Sequence, residues 1–340
     1  MSRLQRTMSR IAALSALLCL FSSAIPGGSF VSAQTTKMKV STGAVTAEMA
    51  PLWIAQEASY FQKYGLAVEI VTISSGLTAT QAMLSGDVQV SSQTGIPLAN
   101  ADVAGADLVM VGSAMNSFPF FLMVRPEIKS ASALKGKKIG ITRLGSAADM
   151  AARVALERLK LLPDKDVALI QAGGLAETYS AMEGGAVDGG ILTPPGYFIA
   201  KKKGYFQLVD LLSGTAEVQH TGVATPRKYI QTNRKSLIDF LKAFTEGLHR
   251  FKMDKRFSMD VLAKNTNSQA DEILTQTYDL YRPLFLEVPY PTEKGMRTIL
   301  DFLAQSDPRY KSLRPEKTVD TSLVKELVDS GFIEEIRKQR

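Results

Sequence analysis

Cysteine is almost missing from this sequence: 340 residues contain one, Cys19. It sits in an apolar run, Ile11 to Phe21, preceded by Arg3, Arg6 and Arg10 with no acid nearby. Small residues follow at Val31-Ser32-Ala33, so the segment 1–33 reads as a secretory signal peptide cleaved before Gln34. The run is too short to span a membrane, which takes about 20 apolar residues. Leu17-Leu18 precede Cys19 where a lipid-attachment signal wants a small residue. Without that leader the chain has no cysteine. A disulfide framework, a thiolate metal site and a cysteine nucleophile are all excluded. Histidine is scarce too, with His220 and His249 alone. Zinc wants three or four ligands, and no spacing here offers them.

A large charge surplus is also lacking. Forty basic residues stand against 33 acidic ones, both signs mixed along the chain. That balance gives no footprint for nucleic acid. The glycine pairs Gly184-Gly185 and Gly189-Gly190 lack the order of a dinucleotide or phosphate loop. No serine elbow or Ser/His/Asp grouping is visible.

What is present is an alternation. A strand is expected at Met38 to Thr42 and a helix at Pro51 to Phe61, with Pro51 in the first turn. A strand at Leu66 to Ile73, a helix ending at Leu84 and a strand at Val88 to Ser91 complete a β-α-β-α-β order. This is the grammar of a mostly parallel sheet covered by helices. The same grammar returns 99 residues later. Val40 aligns with Ile139, Val68 with Val167, Ile70 with Leu169, Gly86 with Gly185, Val88 with Val187 and Thr94 with Thr193. The roughly 300 residues after the leader suffice for two domains.

From Ser236 the pattern turns helical. Leu237, Phe240, Leu241, Phe244, Leu248 and Phe251 recur at three and four residues, one apolar stripe. Further helices are expected over 269–281, 293–304 and 321–338, packing back on the first lobe. His249, beside Leu248, reads as a surface residue. The chain then crosses between lobes twice, near Phe118 to Val124 and near Glu217 to Val223.

In open α/β sheets ligands sit outside the carboxyl ends of the strands. Two facing lobes put those ends on opposite walls of one cleft, and hinged closure buries a ligand. The turns after the strands are the candidates. In the first lobe they carry Thr46, Glu48, Ser75, Gly76, Gln93 and Thr94; in the second, Arg143, Gly145, Ser146, Gly174 and Thr193. Asn116, before the first crossing, and Trp53, in the first helix, join them. Each has a plainer role as well. Ser, Thr and Gly cap helices and make turns. Glu48 either binds a ligand amine or favours a helix N-terminus. Arg143 either pairs with an anion or is solvated. Trp53 either stacks on a ligand or fills the core.

Several segments resemble a known family. Pro51-Leu52-Trp53-Ile54-Ala55-Gln56-Glu57, then Tyr60-Phe61-Gln62-Lys63-Tyr64-Gly65-Leu66, are similar to the opening of the binding proteins for sulfonates, nitrate, taurine and thiamine precursors. Ala82-Met83-Leu84-Ser85-Gly86-Asp87-Val88 and Leu134-Lys135-Gly136-Lys137-Lys138-Ile139-Gly140-Ile141 continue the likeness, the latter at the start of the second lobe. Ala181 to Asp188 matches too. Ser59 stands where a glycine is usual.

The resemblance implies a two-lobed type II periplasmic binding-protein fold of α/β class. Each lobe would be a mostly parallel sheet flanked by helices, joined by two hinge crossings. Lobe 1 would comprise 34–122 and 219–340, and lobe 2 would comprise 123–218. It also implies a small ligand between the lobes, sulfonate- or nitrate-like and anionic or pyrimidine-like, and an ABC permease and an ATPase as partners; with the leader, a periplasmic and monomeric protein is expected. No cofactor, nucleic acid, stable membrane insertion or catalysis is expected. Two other uses of the same fold are a ligand-presenting partner of a sensor and an enzyme akin to the yeast-type pyrimidine-precursor synthases. The latter depend on histidines, a cysteine-rich motif and iron.

Overall fold

The computed structural model describes residues 35–338, except 74, 75, 215, 267 and 269. The leader assigned to 1–33 lies outside the described residues.

The first sheet grows from β1 (Thr36–Thr42), α1 (Ala50–Glu57), α2 (Tyr60–Lys63), β2 (Leu66–Thr72), α3 (Gly76–Ser85), β3 (Val90–Gln93), α4 (Gly95–Val103) and β4 (Leu108–Met115). The chain then enters the second sheet with β5 (Phe121–Val124), α5 (Ala131–Leu134), β6 (Lys138–Ile141), α6 (Ala147–Arg158), β7 (Ala168–Gln171), α7 (Leu175–Glu183), β8 (Gly189–Leu192), α8 (Gly196–Lys202) and β9 (Phe206–Asp210). It returns to the first with β10 (Thr221–Pro226) and closes with helices: α9 (Arg227–Met253), α10 (Lys255–Thr266), α11 (Asp271–Tyr281), α12 (Glu293–Leu303), α13 (Ser322–Asp329) and α14 (Phe332–Lys338).

Both sheets have five strands, in the orders β2-β1-β3-β10-β4 and β7-β6-β8-β5-β9. They share one plan. Three parallel strands lie at one side, and the strand delivered by a crossing runs antiparallel as fourth in line. The 99-residue echo holds at the level of register. Val40 faces Ile70 and Val90, and Ile139 faces Leu169 and Gly189. A repeat that preserves strand partners residue for residue is a repeat of architecture, not of composition.

The helix expected over Pro51 to Phe61 is broken in two. Ser59 adopts a left-handed φ of 58°, which ends α1 and lets the chain turn before α2. Glycine takes this conformation without a Cβ clash, whereas a serine there is strained. The stripe expected from Ser236 lies in a helix that starts earlier, at Arg227, and kinks at Asn233. The last helix divides at Gly331, φ 78°, into α13 and α14.

The sheets are held by different amounts of cover. Val40, Val90, Val111 and Val223 of the first are fully buried, together with Phe240, Leu241 and Phe244 from α9. Phe61 stacks on Phe240 at 5.5 Å between ring centroids. α9 lies so close to α1 that a Cβ on Gly247 would overlap the Pro51 carbonyl oxygen. α10, α13 and α14 join the same core. On the second sheet β7 is an edge strand, with Ala168, Ile170 and Gln171 exposed.

Candidate functional site: a cleft between the sheets

The turns at the carboxyl ends of the parallel strands face one another across a cavity of about 1210 Å³. That placement follows from the topology: parallel strands send all their following turns to the same edge. Of the sequence candidates, Thr46, Glu48, Gly76, Gln93 and Thr94 lie on the first-lobe wall, and Arg143, Gly145, Ser146 and Gly174 on the second.

Three candidates lie off the walls, and Ser75 falls outside the described residues. Trp53 is buried in the core of the first lobe, because α1 turns its apolar face inward under α9. Asn116 is tied to local backbone and side chains: its Oδ1 accepts from Ser113 Oγ at 2.8 Å. Thr193 is fully buried beside Tyr281. The surface assignment of His249 also fails, since its ring is half-buried and its Nε2 is enclosed without a partner.

The floor of the cleft is a buried acid–imidazole pair. Glu48 and His220 are 7% and 2% exposed, with His220 Nε2 2.6 Å from Glu48 Oε2. Thr46 Oγ1 donates to Glu48 Oε1 at 2.9 Å. Burial alone would raise the Glu48 pKa. The charge and hydrogen bond of His220, with the Thr46 hydroxyl, outweigh burial and hold it below the ordinary carboxylate range. Phe118 and Phe120 meet the His220 ring edge-on, at 5.7 and 5.3 Å. The ring is thereby fixed from the crossing segment while its partner comes from the turn after β1.

Around this pair, polar atoms are buried with nothing to bond. Thr80 Oγ1, Gln93 Nε2, His220 Nδ1 and Thr221 Oγ1 all lack a partner, and all four residues line the cleft. Buried polar groups are normally satisfied, and each unsatisfied one is costly. Four on a single wall form a surface made to receive a polar molecule.

The second-lobe wall is different. Arg143 and Leu144 are exposed, Leu144 at 54%. Gly145 and Gly173 take left-handed φ values of 73° and 107°, open only to residues without a Cβ penalty. The helix starts behind them are occupied. Asp149 accepts from Gly145 N at 2.9 Å and is paired with Arg153 at 2.9 Å. The Glu177 carboxylate lies against Gly174, the uncapped N-terminus of α7. Apolar groups complete the rims: Val45 and Leu84 on the first lobe are more than half exposed.

Thr80, Phe120, His220, Thr221 and Glu177 line the cleft but were not among the sequence candidates. His220 was within reach of sequence reading, because it stands at the second crossing. Thr80 was not, since nothing local distinguishes a threonine one turn inside α3.

Among the described residues, no three metal-ligating side chains gather, and no helix is long and apolar enough to cross a membrane.

Twin sheets facing across a cleft define a two-lobed fold of the type II periplasmic binding-protein kind. Within it, the NMT1/THI5-like family model matches residues 46–254, and the chain belongs to that family. YtlA of Bacillus subtilis (strain 168), to which a binding function has been ascribed, is 26% identical over 214 residues. That match takes in 61% of this chain and 64% of YtlA, so the chain spans less than two thirds of its length. The alkanesulfonate-binding protein SsuA from Xanthomonas axonopodis pv. citri, bound to MOPS, superposes with a TM-score of 0.71. It is 18% identical, over 84% of this chain and 98% of SsuA. The periplasmic nitrate-binding protein NrtA from Synechocystis PCC 6803 gives a TM-score of 0.69 at 15% identity, covering 87% and 89%. These structural likenesses carry the fold.

Proposed function

We propose that this chain is an exported solute-binding protein that captures one small molecule in the cleft and delivers it to an ABC importer. The observation that carries the reading is the set of four partnerless polar atoms on the cleft wall. A wall of that kind is stable in contact with a ligand or water and costly when closed empty.

Capture works by hinge closure. Residues 34–122 with 219–340 form one lobe, 123–218 the other, and the segments between β4 and β5 and between β9 and β10 bend. The second lobe brings Arg143, Gly145, Ser146 and Gly174 over a ligand seated on Glu48, Gln93 and His220. Export to the periplasm rests on the leader read in the sequence. A permease and an ATPase as partners rest on the family and on the relatives named for binding. Capture without chemistry is the simpler use of this cleft.

Bound ligand stabilises the folded state by mass action, by about 2.7 kcal/mol at a hundredfold excess over Kd. A thermal-shift screen across small polar metabolites tests the reading. The expected result is a saturable rise in Tm with compaction in X-ray scattering. No rise with any compound, or conversion of a hit into product, would overturn it.

A further inference from the structure

The chain passes between the sheets twice, once before β5 and once before β10. Two such seats leave the lobes free to rotate about the line that joins them. A third contact limits that rotation, and α11 supplies one.

The helix is divided lengthwise between the lobes. Ile273, Leu274, Thr277, Tyr278 and Tyr281 recur at three and four residues and are buried. Leu274, Tyr278 and Tyr281 belong to the core of the first lobe. There Phe251 stacks on Tyr278 at 4.9 Å and Phe285 on Tyr281 at 5.7 Å between centroids. Glu272 and Leu280 fall on the neighbouring flank, and that flank meets the second lobe. Glu272 pairs with Lys202 at the end of α8. Leu280 packs on the first-lobe core and also on the second-lobe cluster that holds Phe121, Leu192 and Tyr197. At the last turn Tyr281 lies beside Thr193, which follows β8. From Glu272 to Tyr281 the helix runs about 13 Å, at 1.5 Å per residue.

The junction is seated without being locked. The Tyr281 and Thr193 hydroxyls are buried neighbours, yet neither has a partner within bonding distance. Parting them leaves no polar group newly unsatisfied, the step that makes buried contacts costly to break. The Lys202 and Glu272 side chains are 59% and 60% exposed, so their attraction is weak and screened. Leu280 adds apolar contact alone. Such a junction favours one orientation and still lets go.

We infer that α11 is a non-covalent tether that sets the resting angle between the lobes. Glu272, Leu280 and Tyr281 are then positioning residues for capture, although none of them lines the cleft. A ligand that closes the lobes works against the tether, so its affinity is set partly by residues it never meets. The inference rests on the capture reading for the purpose of the movement, and the tether itself is tested without ligand.

The chain from Gln34 onward has no cysteine, so Leu84→Cys and Leu144→Cys together give two unique spin-label sites. Both residues are 54% exposed, one on each rim of the cleft. The rim-to-rim distance distribution is measured by pulsed electron resonance in the ligand-free protein, with thermal unfolding in parallel. Glu272→Lys sets like charges face to face and should raise the share of molecules at other distances about fivefold. Lys202→Glu combined with Glu272→Lys restores the pair with its signs exchanged and should return the wild-type distribution. Leu280→Ala should broaden the distribution as well. A change with Leu280→Ala alone still upholds the tether and places its strength in the packing. Distributions that overlay on wild type in both Glu272→Lys and Leu280→Ala would overturn the inference, whether or not Tm falls. So would a Glu272→Lys change that persists in the exchanged pair. Neither result touches the capture reading, which stands or falls on the ligand screen.

Discussion

The two lobes are copies in topology and opposites at the cleft. The first lobe presents buried polar atoms fixed in a packed scaffold. The second presents an exposed arginine, an exposed leucine and left-handed glycines, with its helix starts already neutralised. A rigid, unsatisfied wall discriminates among ligands, because its groups cannot move to suit the wrong one. A smooth backbone wall covers whatever the first has chosen. Duplication of a sheet thus supplies two surfaces, and burial decides which becomes selective.

The largest expected effect comes from breaking the selective wall. Glu48→Ala leaves His220 buried without its acceptor and should destabilise the protein by about 3–5 kcal/mol, measured by urea unfolding. A loss below about 1 kcal/mol would mean that the pair is solvated and the walls are less different than described. The same carboxyl gives a pH signature. Its folded pKa lies below its unfolded value, so its contribution is complete above the ordinary carboxylate range and fades as pH falls through the folded value. Glu48→Gln should flatten that part of the acid-side decline in Tm.

A smaller effect compares equivalent strand positions. Val90 in β3 is fully buried, and 99 residues on stands Gly189, where a Cβ would press on Met123 and Val124. Val90→Ala should cost about 2 kcal/mol by leaving a cavity. Gly189→Val should cost about 1–3 kcal/mol by overpacking. If Gly189→Val is neutral in thermal unfolding, the second sheet is looser than its strand partners indicate.

Asp102 sharpens the contrast between the lobes. Burial raises its pKa to about 7, opposed by the backbone hydrogen bond from Leu108. Its counterpart 99 residues later is the exposed Lys201. With the folded pKa above the unfolded one, Asp102 costs stability as pH rises from about 4 to 7. Asp102→Asn should therefore gain on the order of 1–2 kcal/mol at pH 8 and nothing at pH 4, read from Tm across pH. The smallest effect is expected at the covering wall. Arg143→Ala should change unfolding free energy by less than about 0.5 kcal/mol. A larger loss would make Arg143 part of the scaffold.

Much of this was legible before the structure. The succession of strands and helices and the positions of the cleft turns follow from hydrophobic alternation and the 99-residue echo, which are local or periodic signals. Nine of the named candidates reached the walls because turns after parallel strands must. The Glu48–His220 pair was hidden, since its partners are 172 residues apart and join across a crossing. Trp53 misled for a related reason. An aromatic near a candidate turn carries no mark of which way its helix faces until α9 is seen to pack over it. Ser59 shows the limit at the scale of one residue: the left-handed turn persists although the glycine that usually makes it is gone.

The position of β10 bears on how such a chain assembles. The second sheet is contiguous, from Phe121 to Asp210, whereas the first keeps a gap between β3 and β4 until Thr221–Pro226 arrive. A polypeptide emerging from its amino end can finish the later sheet while the earlier one still waits for its inner strand. Contacts of long sequence separation form slowly, because the intervening loop must close first. The lobe begun first is then the lobe completed last, and a truncation before residue 221 should strand it unfinished beside an intact neighbour.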